Sequence, residues 1–228
     1  MFWYYASYYF IRVLPAILLS LFAQMKVQST YKKYAEVLSS RGKTAAEITR
    51  EILDKNGLTG VSVARVAGKL TDHYDPRSNV IRLSETVYGD ISVASIGVAA
   101  QEAGPAVQHQ VGYFPIRARN AVLPVANLGS SLAFPLILLG IILSMQPLVS
   151  FGILLLSFVL LFQLVTLPVE FNASRRAIET LRGSGILAED ELLGAKKVLG
   201  AAALTYVAAA LTSAAQLLRL VLLSRRRN

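Results

Sequence analysis

Residues 121–169 read AVLPVANLGSSLAFPLILLGIILSMQPLVSFGILLLSFVLLFQLVTLPV and contain no charged side chain. One helical crossing of a bilayer needs about 20 mostly apolar residues, so this stretch is long enough for two crossings. The run Ser144-Met145-Gln146-Pro147 interrupts it with polar residues and a proline, which favours the start of a new helix. The sequence therefore predicts a transmembrane hairpin in residues 121–169, with helices near 123–143 and 148–167.

Two further apolar segments lie at the two ends of the chain. Residues 1–23 are apolar and aromatic, and only Arg12 interrupts them, so we expect an uncleaved N-terminal transmembrane anchor. Residues 198–218 are uncharged and rich in alanine, and small residues let helices approach closely in lipid. Residues 198–228 are therefore predicted to form a C-terminal transmembrane helix with a basic tail, giving about four transmembrane helices in all.

The composition excludes several classes of protein. The chain has 228 residues, of which 54% are hydrophobic and 16% charged, against about 45–50% and about 25% in soluble domains. This balance excludes a disordered protein and argues against a simple water-soluble globule. Because the chain has no cysteine, it has no disulfide, no thiolate metal site and no cysteine nucleophile.

The distribution of charge predicts an orientation in the membrane. The formal net charge is +9, and most of the 23 lysines and arginines lie in residues 24–120 and 168–197. With four crossings these two regions share one side, which the positive-inside rule makes cytoplasmic. We therefore expect an integral membrane protein whose polar region is cytoplasmic. Its partner is the lipid bilayer, and nucleic acid is not expected, because no motif combines aromatic and basic residues.

The polar region, residues 24–120, has an α+β pattern. Thr44-Ala45-Ala46-Glu47 has the form of a capping box and opens a helix that Asn56-Gly57 ends. Residues 61–66, 70–74 and 80–83 are predicted strands, and the last two are joined by a turn of typical composition. Residues 92–108 follow as a long helix of small, mostly apolar residues, suited to a buried position.

Several blocks of this sequence resemble one known family. They are Gln101-Glu102-Ala103-Gly104-Pro105 in the predicted buried helix, residues 68–77 (GKLTDHYDPR) and residues 164–177 (LVTLPVEFNASRRA). In their order and spacing they resemble the membrane-bound neutral zinc metallopeptidases of bacteria, the YugP-like family. The resemblance implies a small zincin-like cytoplasmic region within a mainly α membrane protein. Together with the apolar segments it divides the chain into five parts: the anchor (1–23), the zincin-like region with the motif helix 92–108 (24–120), the hairpin (121–169), the third-ligand helix and loop (170–197) and the C-terminal helix with its basic tail (198–228).

The resemblance also implies zinc-dependent hydrolysis of peptides. The sequence departs from the family's motif at the positions of the metal ligands. The family carries H-E-x-x-H, in which two histidines bind Zn²⁺ and the glutamate is the general base. Here Glu102 keeps the general-base position and Glu170 matches the third ligand, but Gln101 and Pro105 stand at the histidine positions. Because an amide is a poor zinc ligand and proline has no side-chain donor, both are predicted not to bind the metal. Zinc binding is therefore expected to be weak or absent.

Three other residues of these blocks are candidates for supporting roles. Asn172 and Arg175 follow Glu170 and could orient it, although Arg175 could equally mark the cytoplasmic end of the preceding crossing. His73 could contact a substrate along its strand or simply hydrogen-bond within a turn. His109 lies about 12 Å along an ideal helix from Gln101, too far to replace the missing ligand.

Three hypotheses about function follow from these residues. The first is a membrane protein resembling a zinc metallopeptidase that is catalytically inactive as written. The second is a membrane zinc metallopeptidase whose natural form has histidines at 101 and 105, since single-base changes convert histidine codons to glutamine or proline. The third is a non-catalytic membrane scaffold that binds a peptide or membrane-protein partner in the cleft that the peptidase fold would provide.

Overall fold

The computed structural model describes residues 13–225 and is mostly helical in that range. The elements in chain order are α1 (Leu14–Ala35), α2 (Ala45–Lys55), β1 (Ser62–Val66), β2 (His73–Asp75), β3 (Val80–Ser84), α3 (Glu85–Tyr88), α4 (Val93–Gln110), α5 (Phe114–Ile142), α6 (Gln146–Gly183) and α7 (Glu189–Arg225). The prediction of a mainly α protein with a small sheet is confirmed.

Within residues 13–225, three helices are long and apolar enough to cross a membrane, namely α5, α6 and α7. Between α5 and α6, Ser144 adopts a left-handed backbone with φ of 54°, so the chain turns where the sequence placed the turn. Much of the surface of α5 consists of exposed large apolar side chains, which lipid would cover: Leu128, Leu132, Phe134, Leu138 and Leu139. These residues belong to a compact unit that we call the apolar unit, which within the described residues comprises residues 13–24, Arg117–Pro168 and residues 204–225.

The predicted N-terminal anchor is only partly covered by the structure. Residues 1–12 of the predicted segment 1–23 lie outside the described residues, as do the last residues of the basic tail. The described part begins α1 at Leu14, and that helix continues to Ala35. A fourth transmembrane helix therefore stays a prediction.

The polar unit consists of Met25–Ile116 and Val169–Ala203 and contains a three-stranded sheet. The strand order is β1-β3-β2; β3 pairs in parallel with β1 and antiparallel with β2. The second strand is shorter than predicted: it begins at His73 rather than Leu70. Gly68 and Leu70 have positive φ values of 104° and 54°, which break an extended strand.

The core of the polar unit gathers the apolar faces of its helices against one face of the sheet. Ile48, Ile52 and Leu53, the predicted apolar face of α2, are buried. They belong to a continuous cluster with residues from β3, α4, α6 and α7: Ile81, Leu83, Ile96, Ala99, Leu181 and Leu199. Burial of this set holds α4 in the middle of the unit.

The start of α2 is fixed by the capping box that the sequence predicted. The Glu47 N–H donates to Thr44 Oγ1 at 3.3 Å, and the Thr44 N–H donates to Glu47 Oε2 at 2.8 Å. The hydrogen bonds from the Thr44 backbone and hydroxyl hold the pKa of Glu47 below its usual value. The cap therefore satisfies two backbone donors that would otherwise lack a partner within the helix.

We expect Thr44→Ala to lower the unfolding free energy of this helix by about 1 kcal/mol, because the capping oxygen is lost. Hydrogen exchange of residues 45–55 measures the effect. Thr59→Ala, at an exposed threonine in the turn after α2, is the matched control and should leave exchange unchanged. An equal loss of protection in both variants would contradict the assignment of the cap.

Candidate functional site

The motif helix α4 begins with a buried hydrogen-bonded cap. Ser92 is the N-cap residue, and its Oγ accepts the Ser95 N–H at 3.2 Å. Asp90 Oδ2 in turn accepts the hydroxyls of Ser92 and Ser95, each at 2.6 Å. Because most residues after this cap are small and buried, neighbouring elements can pack closely around α4.

The structure brings together two of the residues that the sequence placed at metal-ligand positions. Gln101 on α4 and Glu170 on α6 are both buried, with 8% of each exposed. Gln101 Nε2 donates a hydrogen bond to Glu170 Oε2 at 3.2 Å. The amide therefore acts towards this carboxylate as a donor, whereas a metal ligand must present a lone pair.

Pro105 and Glu102 occupy the other two motif positions. Pro105 lies inside α4, about one turn after Gln101, and cannot donate a backbone N–H to the Gln101 carbonyl. Glu102 is half-buried on the same helix, and it has interactions within the chain. Successive helical residues are about 100° apart around the axis, so Glu102 and Gln101 lie on different faces of α4.

A second amide, which was not among the residues predicted from the sequence, contacts the same part of α6. Gln108 is fully buried, and its Nε2 donates to the Val169 carbonyl at 2.9 Å and to Asn172 Oδ1 at 3.0 Å. Arg176 Nε also donates to Asn172 Oδ1, at 2.9 Å. Gln108 follows Gln101 by seven residues, about two helical turns, and that spacing is the signal that both amides share a face.

The two helices touch at Gly104, between the two amides. A Cβ atom at this position would lie 2.8 Å from Ala173 Cβ and 3.0 Å from Ala173 Cα. Side chains essentially never approach each other this closely, so a residue larger than glycine cannot fit unless a helix moves. The absent side chain brings α4 close enough to α6 for Gln101 and Gln108 to reach it.

His73 and Arg175 lie outside this network of hydrogen bonds. His73 is exposed at the start of β2, where its Nδ1 lies 2.8 Å from the Thr71 carbonyl oxygen, within a turn. Arg175 is exposed on α6, and its Nε lies 4.0 Å from Glu179 Oε1. His109 is half-buried, and its ring centroid lies 6.0 Å from that of Tyr74.

The donor set at the motif does not fit a zinc ion. A catalytic zinc site needs three protein ligands with lone pairs, together with water. Of the expected three, Glu170 supplies a carboxylate, Gln101 directs an N–H at that carboxylate, and Pro105 has no donor atom. Within residues 13–225, the structure has no group of three or more histidine, cysteine, aspartate or glutamate side chains that could hold a metal ion.

A cavity of about 250 Å³ lies on another face of α4. It is open to solvent and lined by residues of α2, α4 and α6, and none of Gln101, Glu102 and Glu170 lines it. Its polar lining residues are Asn56, Arg176, Glu179 and Thr180. The candidate metal position and the cavity are therefore separate features of the polar unit.

We expect Gly104→Ala to lower the Tm of the protein, because the added methyl group would meet Ala173. The direction of the change in Tm distinguishes packing from helix propensity, because helix propensity alone would favour alanine by about 1 kcal/mol. Gly200→Ala is the matched control: this glycine of α7 is exposed, and a methyl group added to it would have no neighbour within 4 Å, so the Tm should stay level or rise. A rise in Tm for both variants would show that the helices do not touch at Gly104.

Two similarities to known proteins extend over most of the chain. The family described as "Putative neutral zinc metallopeptidase" matches residues 9–225. The protein named "Putative membrane protease YugP", from Bacillus subtilis (strain 168), is 49% identical over 210 residues, which cover 92% of this chain and 93% of that protein. No solved structure matches the chain. The motif blocks and these matches lead to one conclusion: the chain belongs to the neutral zinc metallopeptidase family.

Proposed function

We propose that this chain is a membrane protein of the family that, as written, binds no catalytic zinc and hydrolyses no peptide. The observation that carries the proposal is the hydrogen bond from Gln101 Nε2 to Glu170 Oε2. It engages one carboxylate oxygen of the expected third ligand with the side chain that stands in place of the first.

The chemistry of the pair supports this orientation of the amide. If the Gln101 side chain were turned over, its carbonyl oxygen would face the Glu170 carboxylate, and two acceptors would repel each other. In a buried site with low dielectric that repulsion is strong. Even with the amide oxygen free, Pro105 contributes no ligand, so the three-ligand set stays incomplete.

Glu102 keeps the position of the general base but lacks the water that zinc would activate. A carboxylate in that role removes a proton from a water whose pKa the metal has lowered. Without the metal, water is a poor nucleophile near neutral pH, and a carboxylate alone does not compensate. The function that remains is then non-catalytic: the protein binds a peptide or a membrane-protein partner as a scaffold.

The retained residues favour one competing function, an active membrane zinc metallopeptidase. Glu102 and Glu170 are still present, and the chain is 49% identical to a protein named as a membrane protease. In this alternative the natural form has histidines at positions 101 and 105. Both functions predict no zinc in the chain as written, and they differ in the residues that the natural protein carries at positions 101 and 105.

Metal analysis of the purified protein and of Gln101→His/Pro105→His tests the ligand assignment on which both functions rest. We expect no stoichiometric zinc in the chain as written and about one zinc per chain in the double variant. The double variant should also show peptidase activity that a chelator abolishes. Adding Glu170→Ala to it is the control that tests the third ligand, and zinc should be lost again.

Tightly bound zinc with hydrolysis in the unaltered chain would overturn the proposal, because it would show that Gln101 and Pro105 do not prevent metal binding. Failure of the double variant to bind zinc, with an intact fold, would show that Glu170 is not the third ligand.

We further propose that the polar unit faces the cytoplasm and that the N-terminal segment 1–23 is a fourth crossing. The support is the excess of lysine and arginine in residues 24–120 and 168–197, and their absence from the turn between α5 and α6. The turn would then face the outside.

Because the chain has no cysteine, single cysteines report this topology directly. Met145 in the hairpin turn and Lys69 in the polar unit are both exposed, so each can be replaced by cysteine. In intact cells a membrane-impermeant maleimide should label Met145→Cys and should label Lys69→Cys only after lysis. Labelling of Lys69→Cys in intact cells would reverse the orientation.

A further inference from the structure

Gln101 and Gln108 contact α6 on either side of the Gly104–Ala173 contact. Gln101 bonds Glu170, and Gln108 bonds the Val169 carbonyl and Asn172. All of these bonds join residues far apart in sequence, and the side chains of Gln101, Gln108 and Glu170 are buried. Together they form what we call the amide joint: Gln101, Gly104 and Gln108 on α4 against residues 169–173 on α6.

The bond of Gln101 to Glu170 is the part of the joint that lies at the expected metal position. A metal bound there would be held by ligands from both helices and would therefore tie α4 to α6. The amide spans the same gap, because its N–H reaches the carboxylate directly at 3.2 Å. A hydrogen bond in a buried site of low dielectric is electrostatically stronger than one exposed to water.

We infer that Gln101 and Glu170 form a structural, metal-independent link between α4 and α6, in the place where a metal would otherwise connect them. The inference rests on the proposed absence of zinc and adds a role for the substituted side chain. Gln101 is then not only a lost ligand but a positioning residue that gives the buried Glu170 carboxylate a donor. The folded state of the polar unit should accordingly be indifferent to both zinc and chelators.

The decisive experiment is a double-mutant cycle with Gln101→Met and Glu170→Met, followed by thermal unfolding of the full chain in detergent. Methionine has about the length of both side chains but neither donates nor accepts a strong hydrogen bond. We expect Gln101→Met to lower the Tm of the unaltered chain by about 3–8 °C. In the Glu170→Met background the same change should lower it by less than about 2 °C.

Matched controls separate this coupling from general effects of methionine. Gln110 is exposed at the end of α4, and Glu179 is exposed on α6, so Gln110→Met and Glu179→Met make the same chemical changes outside the joint. Each of these variants should leave the Tm unchanged, and the effects of the two substitutions on the Tm should add in the double variant. Hydrogen exchange of residues 93–110, measured below the Tm, supplies a second readout if a variant unfolds too readily for a thermal scan.

Each outcome decides one claim. Non-additive losses at positions 101 and 170, with no change in Tm on adding EDTA or zinc, support the inference. If the losses in Tm at positions 101 and 170 are additive and EDTA does not change the Tm, the inference is overturned and the proposed function stands. A fall in the Tm of the unaltered chain on adding EDTA shows a bound metal and overturns the proposed function itself.

Discussion

The polar unit has to provide hydrogen-bond donors for one buried carboxylate, that of Glu170. Glu170 lies on α6 with only 8% of its surface exposed, and transferring an ionised carboxylate from water into such an environment is costly unless donors surround it. Gln101 donates to it from α4. The same requirement explains why the buried amides of α4 face residues 169–173, while most other buried residues of the helix are small or apolar.

On the proposed function, the absence of a metal need not loosen the fold. In this chain α4 and α6 are also connected by groups outside the expected metal position. Gly104 and Ala173 determine how closely the helices approach, and Gln108 bonds to the α6 backbone and to Asn172. Substitutions at positions 101 and 105 therefore remove donor atoms without removing these contacts, which fits a family member that keeps its architecture without the complete ligand set.

Local chemistry made much of the fold predictable from the sequence. The capping box of α2 and the hairpin of α5 and α6 follow from neighbouring residues and from one uncharged run, and the family blocks pointed to Glu170 as a neighbour of Gln101. The partners of Gln108 were not predicted, because they depend on the packing of segments some 60 positions apart. The late start of β2 was also missed, since the positive φ of Leu70 is not signalled by its residue type.

The glycine at position 104 has an evolutionary consequence. The close approach of the two helices at this position requires a residue without a side chain, because a Cβ atom there would meet Ala173. A methyl group at position 104 would meet both the side chain and the backbone of Ala173. A relative that packs these helices in the same way therefore has to keep glycine there, with or without a bound metal.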